Sequence, residues 1–322
     1  MASTHIIIVN YNAGSWLQRS ISSALNYSDG RITVVDNQSQ DSSVKDAQSA
    51  FNVHSVADTQ SVADTQSVAD PQSVYDPQSV YDNRRLEWQL NDLNVGFAAA
   101  NNQVLKSLEC DYAVLMNPDC EINQHSLSLI VDAMQSDPKI GLASCRILND
   151  DGSLQSTCRR RFPTPWSALV RLLKLDRVFP NSPKFSNFDY ADGLDADSET
   201  EYVEAISGAF MVARMSAVKQ VGLLDEDYFM HCEDLDWCKR FELNQWKVAL
   251  VPAAVVTHAK GVSSKSRPLR VLYTLHTGMN RFFDKFYNAE YSLPVRLLVK
   301  LGIAMSFVIR ASVSAVKSVL GR

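Results

Sequence analysis

VLMNPDCEI, residues 114–122, is an apolar run that stops at Asn117-Pro118-Asp119. Proline lacks the N–H that the next rung of a sheet ladder needs, so a β-rich run that meets one ends there. The chain then presents a single carboxylate, Asp119. It is either an ordinary turn residue or a ligand-holding group at a strand end, and its surroundings decide which.

Moving outward, the first 150 residues alternate β-rich runs with helix-like segments. The runs are Ile6–Val9, Ile32–Val35, Leu86–Leu90, Tyr112–Met116 and Ile140–Ile147; the helical segments are 15–26, 97–108 and 125–135. This alternation predicts an α/β fold, a mostly parallel central sheet flanked by helices. In such sheets ligands sit beyond the carboxyl ends of the strands. The residues there are polar each time: Asn10-Tyr11-Asn12, Asp36-Asn37, Asn91-Asp92 and Asn117-Pro118-Asp119. One polar end is a turn, but four converging on one sheet edge point to a binding site.

The chain has 322 residues, 46% of them hydrophobic, enough for one sizeable core or two small ones. Its net charge of −5 hides an asymmetry: residues 259–322 carry 11 Lys or Arg against 2 acids, whereas the preceding part has 20 against 34. The two parts are expected to meet different partners. The basic residues are interleaved with aliphatics and lack stacking aromatics, so no nucleic-acid role is expected. Six cysteines without a C-x-x-C pair, and an opening without a basic region followed by a long apolar stretch, predict reduced thiols in a cytoplasmic setting. Residues 55–83 repeat SVADTQ-like hexapeptides, too few to complete a β-helix core, and read as a flexible, solvated insertion.

Three later stretches carry chemistry. In LLDEDYFMHCEDLDWCKRFELN, 223–244, Glu233, Asp234 and Asp236 stand at a predicted helix start. They either balance the helix dipole or supply a general base. In VVTHAKGVSSKS, 255–266, His258 follows a β-like run and is either structural or a further metal ligand beside Asp119. Arg159-Arg160-Arg161 is either a solvated cluster or a seat for the phosphates of a lipid-linked acceptor.

Val9-Asn-Tyr-Asn12, Val34-Val-Asp-Asn37, Asn94-Val-Gly-Phe97 with Asn101-Asn102, Asn117-Pro-Asp119, Ser207-Gly-Ala-Phe210, Glu233-Asp-Leu-Asp236 and His258 occur in this order. The set resembles inverting glycosyltransferase family 2, closest to its dTDP-rhamnosyltransferase-like branch, which implies the GT-A fold. The resemblance implies that Asn10, Tyr11, Asn12, Asp36, Asn37, Asn94, Gly96, Phe97, Asn102, Asn117 and Asp119 bind a nucleotide-diphospho-sugar donor. Asp119 and His258 would hold a divalent cation, Mg2+ or Mn2+, although Asn117 is neutral where many relatives have the first carboxylate of an Asp-x-Asp. Asp234 would be the base, with Glu233 as second choice, and Ser207, Gly208, Arg159, Arg160 and Asp236 would meet the acceptor. The implied reaction moves L-rhamnose from dTDP-rhamnose to a lipid-linked or growing saccharide acceptor of a cell-surface polysaccharide. The alternatives are another donor such as a UDP-sugar, or a non-catalytic sugar-nucleotide-binding protein.

From Leu293 onward Arg296, Lys300, Arg310 and Lys317 fall within a stripe about 100° wide at 100° per residue, with aliphatics elsewhere. Burying Lys300 and Arg310 in a spanning helix would cost about 2.5–3.5 kcal/mol each. An in-plane helix with its basic stripe at the headgroups is therefore expected, on the inner face of the cell membrane; packing on the protein or on a homodimer partner is the other possibility. The expected division is a catalytic unit over 1–265 and a basic, helical, membrane-associating region over 266–322.

Overall fold

The computed structural model describes residues 2–52, 83–179, 182, 189, 193–259 and 268–319. The hexapeptide repeats from 55 to 82 and the stretch from Lys260 to Ser266 lie outside the described residues. In chain order the first elements are β1 (Thr4–Asn10), α1 (Trp16–Tyr27), β2 (Arg31–Asp36), α2 (Ser43–Asn52), β3 (Leu86–Leu90), α3 (Phe97–Leu105), β4 (Tyr112–Met116), β5 (Cys120–Ile122), α4 (Ser126–Ser136) and β6 (Ile140–Leu148). There follow β7 (Arg159–Arg160), α5 (Pro165–Leu172), α6 (Leu175–Val178), β8 (Glu201–Val203), β9 (Ala205–Ile206), β10 (Phe210–Arg214), α7 (Met215–Val221), α8 (Glu233–Leu243), β11 (Lys247–His258), α9 (Pro268–Phe286) and α10 (Leu293–Val319).

Nine strands form the main sheet in the order β3-β2-β1-β4-β10-β6-β11-β5, with β8 paired to β11. Strands β1, β2, β3, β4, β6 and β11 share one direction, and β5, β8 and β10 oppose it. Strands β1 and β4 are covered on both faces, which is why they read as apolar runs, whereas β3 at the sheet edge is partly exposed. The order runs outward from β1 through β2 to β3 and then returns past β1 to β4. That reversal is a topological switch point, where an open α/β sheet leaves a crevice. Its two rims end in Asn10 and Asn117. β11 carries a bulge: Val251 pairs with Cys145 but Val255 pairs with Arg146, so residues 252–254 are extra. Arg146 Nε donates to the carbonyl of Pro252 at 2.6 Å and fills the kink. All six cysteines are unpaired thiols.

Helix α9 is tied to the body by charge. Arg281 pairs with Asp225 at 2.9 Å and Asp227 at 2.5 Å, and Lys285 pairs with Asp225 and Asp236 at 2.7 Å each. Helix α10 lies on α9. Arg296 donates to Asn288 at 3.3 Å, Lys300 pairs with Asp284 at 2.8 Å, and His276 Nε2 meets Ser306 at 3.2 Å. Thus Lys300, expected at the headgroups, meets Asp284 of α9, and Arg296 meets Asn288 just beyond that helix. Leu297, Leu301, Met305, Val308, Ile309 and Val313 are left exposed.

Asp236 is wholly buried between Arg240 at 2.6 Å and Lys285. Removing one partner of a buried ion pair costs about 3–5 kcal/mol. We therefore expect Asp236→Ala to lose about that much stability in urea unfolding, and a loss below about 1 kcal/mol would show that the network does not anchor α9.

Candidate active site

The strand-end residues of β1 and β2 meet side by side, with Asn10 across from Asp36 in the ladder. Asn10 Nδ2 donates to Asp36 Oδ1 at 2.8 Å, and Ser39 donates to the same carboxylate from its hydroxyl at 2.6 Å and its N–H at 2.9 Å. Asn12, with φ +53°, accepts the N–H of Gln40 at 2.6 Å and thereby joins the loops after β1 and β2. Asn37 donates to the carbonyl of Gly96 at 3.1 Å, and Asn94 accepts the Gly96 N–H at 3.0 Å. Tyr11 is half-buried beside this cluster. Among the described residues Asn10 Oδ1 is buried without a partner, an acceptor left over for a donor group on a ligand.

At the rim of β4, Asp119 Oδ1 lies 3.2 Å from His258 Nε2, and Asn117 Nδ2 lies 3.4 Å from the same nitrogen. Gln155 fixes the ring. Its Nε2 donates to the carbonyl of His258 at 2.8 Å, so its Oε1 faces His258 Nδ1 at 3.2 Å and that nitrogen carries the proton. Nε2 lies beside the Asp119 carboxylate with the Asn117 amide as its other neighbour, and an outer contact from Nδ1 is the usual support of a metal-ligating histidine, so Asp119 and His258 are placed to share a cation. Among the described residues no group of three or more His, Cys, Asp or Glu converges. Two protein ligands suit a hard cation that completes its shell with diphosphate and water, so Asp119 and His258 fit the implied metal, with Asn117 as a neutral neighbour.

The third part comes from α8. Asp234 Oδ2 accepts Arg160 Nη1 at 2.7 Å and the N–H of Gly208 at 3.1 Å, while Oδ1 accepts the N–H of Leu235 at 2.8 Å. Ser207 Oγ accepts the Ala209 N–H at 3.3 Å, and the carbonyl of Ala209 accepts the N–H of Asn117 at 2.9 Å. The turn 207–209 thus joins the carboxylate of α8 to the end of β4. Burial, then the charge of Asp234, pushes the Glu233 carboxyl up to about 8, and its Oε2 is buried without a partner. Two adjacent acids therefore differ: Glu233 keeps its proton at neutral pH, and Asp234 faces a guanidinium.

Some expected residues are engaged elsewhere. Asn102 donates to the Leu224 carbonyl and Glu226 at 2.8 and 3.0 Å and is 1% exposed. Asp236 sits in the α9 anchor. Arg159 is buried against Glu201, not solvated and not open to a phosphate. Gln155 was not visible in the sequence, since nothing in its neighbourhood signals a partner 103 residues away. Asp189, 3.3 Å from Arg160, was missed for the same reason. A hollow of about 920 Å3 elsewhere, beside Thr4, Gly30 and Arg31, is lined by none of the expected site residues.

No protein-family model matches the chain. In three dimensions it is similar to the solved structure of GalNAc-T7 with UDP, GalNAc and Mn2+, with a TM-score of 0.58 and 14% identity, covering 88% of this chain and 48% of that one. In sequence it is 26% identical over 226 residues to the N-acetylglucosaminyl-diphospho-decaprenol L-rhamnosyltransferase of Mycobacterium tuberculosis, covering 66% of this chain and 71% of that protein. It is 28% identical over 149 residues to rhamnosyltransferase WbbL of Escherichia coli, covering 46% of this chain and 52% of that protein. The fold is of the GT-A type, and the sequence relatives support a glycosyltransferase. Those relatives are rhamnosyltransferases, and the likeness supports the rhamnosyltransferase-like branch of glycosyltransferase family 2.

The raised Glu233 carboxyl links stability to pH. Its folded value, about 8, lies above the ordinary 4.5, so the folded state holds the extra proton. That stabilisation is complete below pH 4.5 and disappears as pH rises towards 8. Glu233→Gln mimics the protonated acid, so the variant's melting temperature should gain on the parent's between pH 5 and pH 9; a constant difference would mean that Glu233 is ionised throughout.

Proposed function

We propose that the protein transfers a sugar with inversion, L-rhamnose from dTDP-rhamnose, onto a lipid-linked or growing saccharide acceptor in cell-surface polysaccharide synthesis. The observation that carries this reading is the chain of bonds from Asp234 through the 207–209 turn to Asn117, which sets a candidate base next to the switch-point crevice. The cluster at Asn10, Asp36 and Asn37 would take the nucleotide, and Asn94, Gly96 and Phe97 its flank. Asp119 and His258 would hold Mg2+ or Mn2+, and the cation's contribution is to neutralise the departing diphosphate.

Asp234 takes the proton of the acceptor hydroxyl, whose oxygen bonds to the anomeric carbon from the face opposite the nucleotide. The bond from that carbon to the diphosphate oxygen breaks, and the nucleoside diphosphate leaves with the electron pair. Arg160 donates to Asp234 at 2.7 Å and holds its side chain in a fixed place. Burial raises the Glu233 carboxyl and favours its protonated form, which makes Asp234 the better candidate for the base.

Release of free nucleoside diphosphate from a panel of donors, with and without metal, tests the reading, and dTDP-rhamnose should give the fastest release. General-base help is worth about 10²–10⁴ in rate, so Asp234→Asn should lose about that factor while binding donor as before. Near-normal turnover in that variant would remove Asp234 from its role, and a preference for a UDP-sugar would change the donor alone.

The membrane part rests on α10. Leu293–Val316 is long and apolar enough to cross a bilayer by length and composition. However, its contacts run lengthwise along α9, which is locked to the body by four ion pairs, and this favours an in-plane helix with its apolar face in the headgroup region. The catalytic unit over 1–265 would then sit on the cytoplasmic surface. Leu301→Glu with Val308→Glu should sharply reduce co-sedimentation with anionic phospholipid vesicles, and unchanged recovery would count against this attachment.

A further inference from the structure

A cavity of about 330 Å3 lies between the loop 227–229 and α9, outside the groups assigned so far. This is the lower end of the roughly 300–1,000 Å3 range of small-molecule sites. Its walls include the rings of Tyr228, Phe229 and Tyr273 and the backbone at Gly278. The hydroxyls of Thr274 and Thr277 donate to carbonyls of their own helix, at 3.1 Å to Arg270 and 3.0 Å to Tyr273, so the wall is rich in rings and methyls and poor in donors. Two cations line it. Arg281 is matched by Asp225 and Asp227, so the carboxylate of Asp227 at the wall is neutralised. Arg270 is exposed, stands 4.8 Å over the Phe229 ring, and meets no carboxylate among the described residues.

The cavity also joins two regions. On one side, the Phe229 carbonyl accepts the N–H of Phe97 at 2.9 Å, next to the expected donor flank, and Asp234 follows five residues later. On the other side, the Tyr273 ring lies 6.3 Å from Phe307 of α10, beside the exposed Val308 and Ile309. An apolar hollow with one available cation, open towards an apolar helix face, suits an amphiphile with a single anionic head.

We propose that this cavity seats the carrier end of the acceptor: an isoprenoid lipid whose phosphate lies at Arg270 and whose first apolar units lie against Phe229 and Tyr273, the rest of the chain following α10. The proposal rests on the reading that the acceptor is lipid-linked, and adds where the lipid is gripped. Arg270 and Thr277 touch no group assigned to the chemistry, so turnover of a soluble saccharide acceptor should be the same in their variants as in the parent.

The test uses the full chain and calorimetric titration with farnesyl phosphate, farnesol and inorganic phosphate. Farnesyl phosphate should bind, farnesol should bind at least about tenfold more weakly, and inorganic phosphate should give no signal. Arg270→Glu, which reverses the head contact, and Thr277→Trp, which fills the cavity, should each weaken farnesyl phosphate binding by about tenfold or more. Both lie on the exposed side of α9, and an unchanged melting temperature verifies that they fold. Equal binding by the parent and both variants overturns the proposal, as does equal binding of farnesol and farnesyl phosphate. Loss of binding to phosphatidylglycerol vesicles with farnesyl phosphate binding intact also overturns it, since the cavity would then be part of a general membrane contact. If farnesyl phosphate binds as expected but no lipid-linked saccharide is glycosylated, the transfer reading fails and this site stands. If both variants glycosylate a lipid-linked saccharide with the parent's KM, this site fails and the transfer stands.

Discussion

The loop from Phe229 to Cys232 is gripped from two sides at points where no side chain fits. A Cβ on Gly96, whose φ is +90°, would stand 2.5 Å from the Phe229 carbonyl oxygen, and one on Gly278 would stand 2.8 Å from that of His231. Between these contacts His231 and Cys232 are both held at positive φ, +74° and +70°. Each such residue costs of order 1–3 kcal/mol and persists only where the surroundings over-determine it. Here they do: α3 closes on one end of the loop, α9 on the other, and α8 begins at once with Glu233 and Asp234. The position of the candidate base is therefore set by two helices that are distant in sequence and by the absence of two methyl groups.

The same small region separates two neighbouring acids. Burial and the charge of Asp234 raise the Glu233 carboxyl, while Asp234 accepts Arg160 and the Gly208 amide. That guanidinium is delivered by β7, whose strand pairs with β9 just before the Ser207-Gly208 turn. Arg159, one residue earlier, is turned to Glu201 instead. Alternation along a two-residue strand thus turns one arginine to Asp234 and the other to Glu201, a distinction that a run of three identical residues hides.

Much of the architecture was legible because it is written in local terms. The run Tyr112–Met116 and the helix starts at Phe97 and Glu233 fall where apolar periodicity and turn residues put them. The polar strand ends were readable for the same reason, since Asn10, Asp36 and Asn117 each follow an unbroken apolar run. What stayed hidden depends on pairings across long separations. β10 enters antiparallel between β4 and β6, Gln155 orients His258, and Asp236 is shielded by Lys285, and none of these partners leaves a mark near the residue it serves. Of the basic stripe of α10, Arg296 meets Asn288 and Lys300 meets Asp284. An isolated amphipathic helix looks the same whether its polar side meets water, headgroups or another helix, and for these two residues only Asp284 of α9 and Asn288 just beyond it mark the difference.

The bulge in β11 carries a further implication for how this site can vary. Side chains on a strand alternate with a period of two, so an odd number of extra residues exchanges the faces of everything beyond it. Residues 252–254 are three, and His258 lies downstream of them. The orientation of that histidine towards Asp119 is therefore a matter of parity. Insertions or deletions of two residues in this kink preserve the histidine's side of the sheet, whereas an insertion of one puts Thr257 in its place and also turns the buried Val256 away from the core.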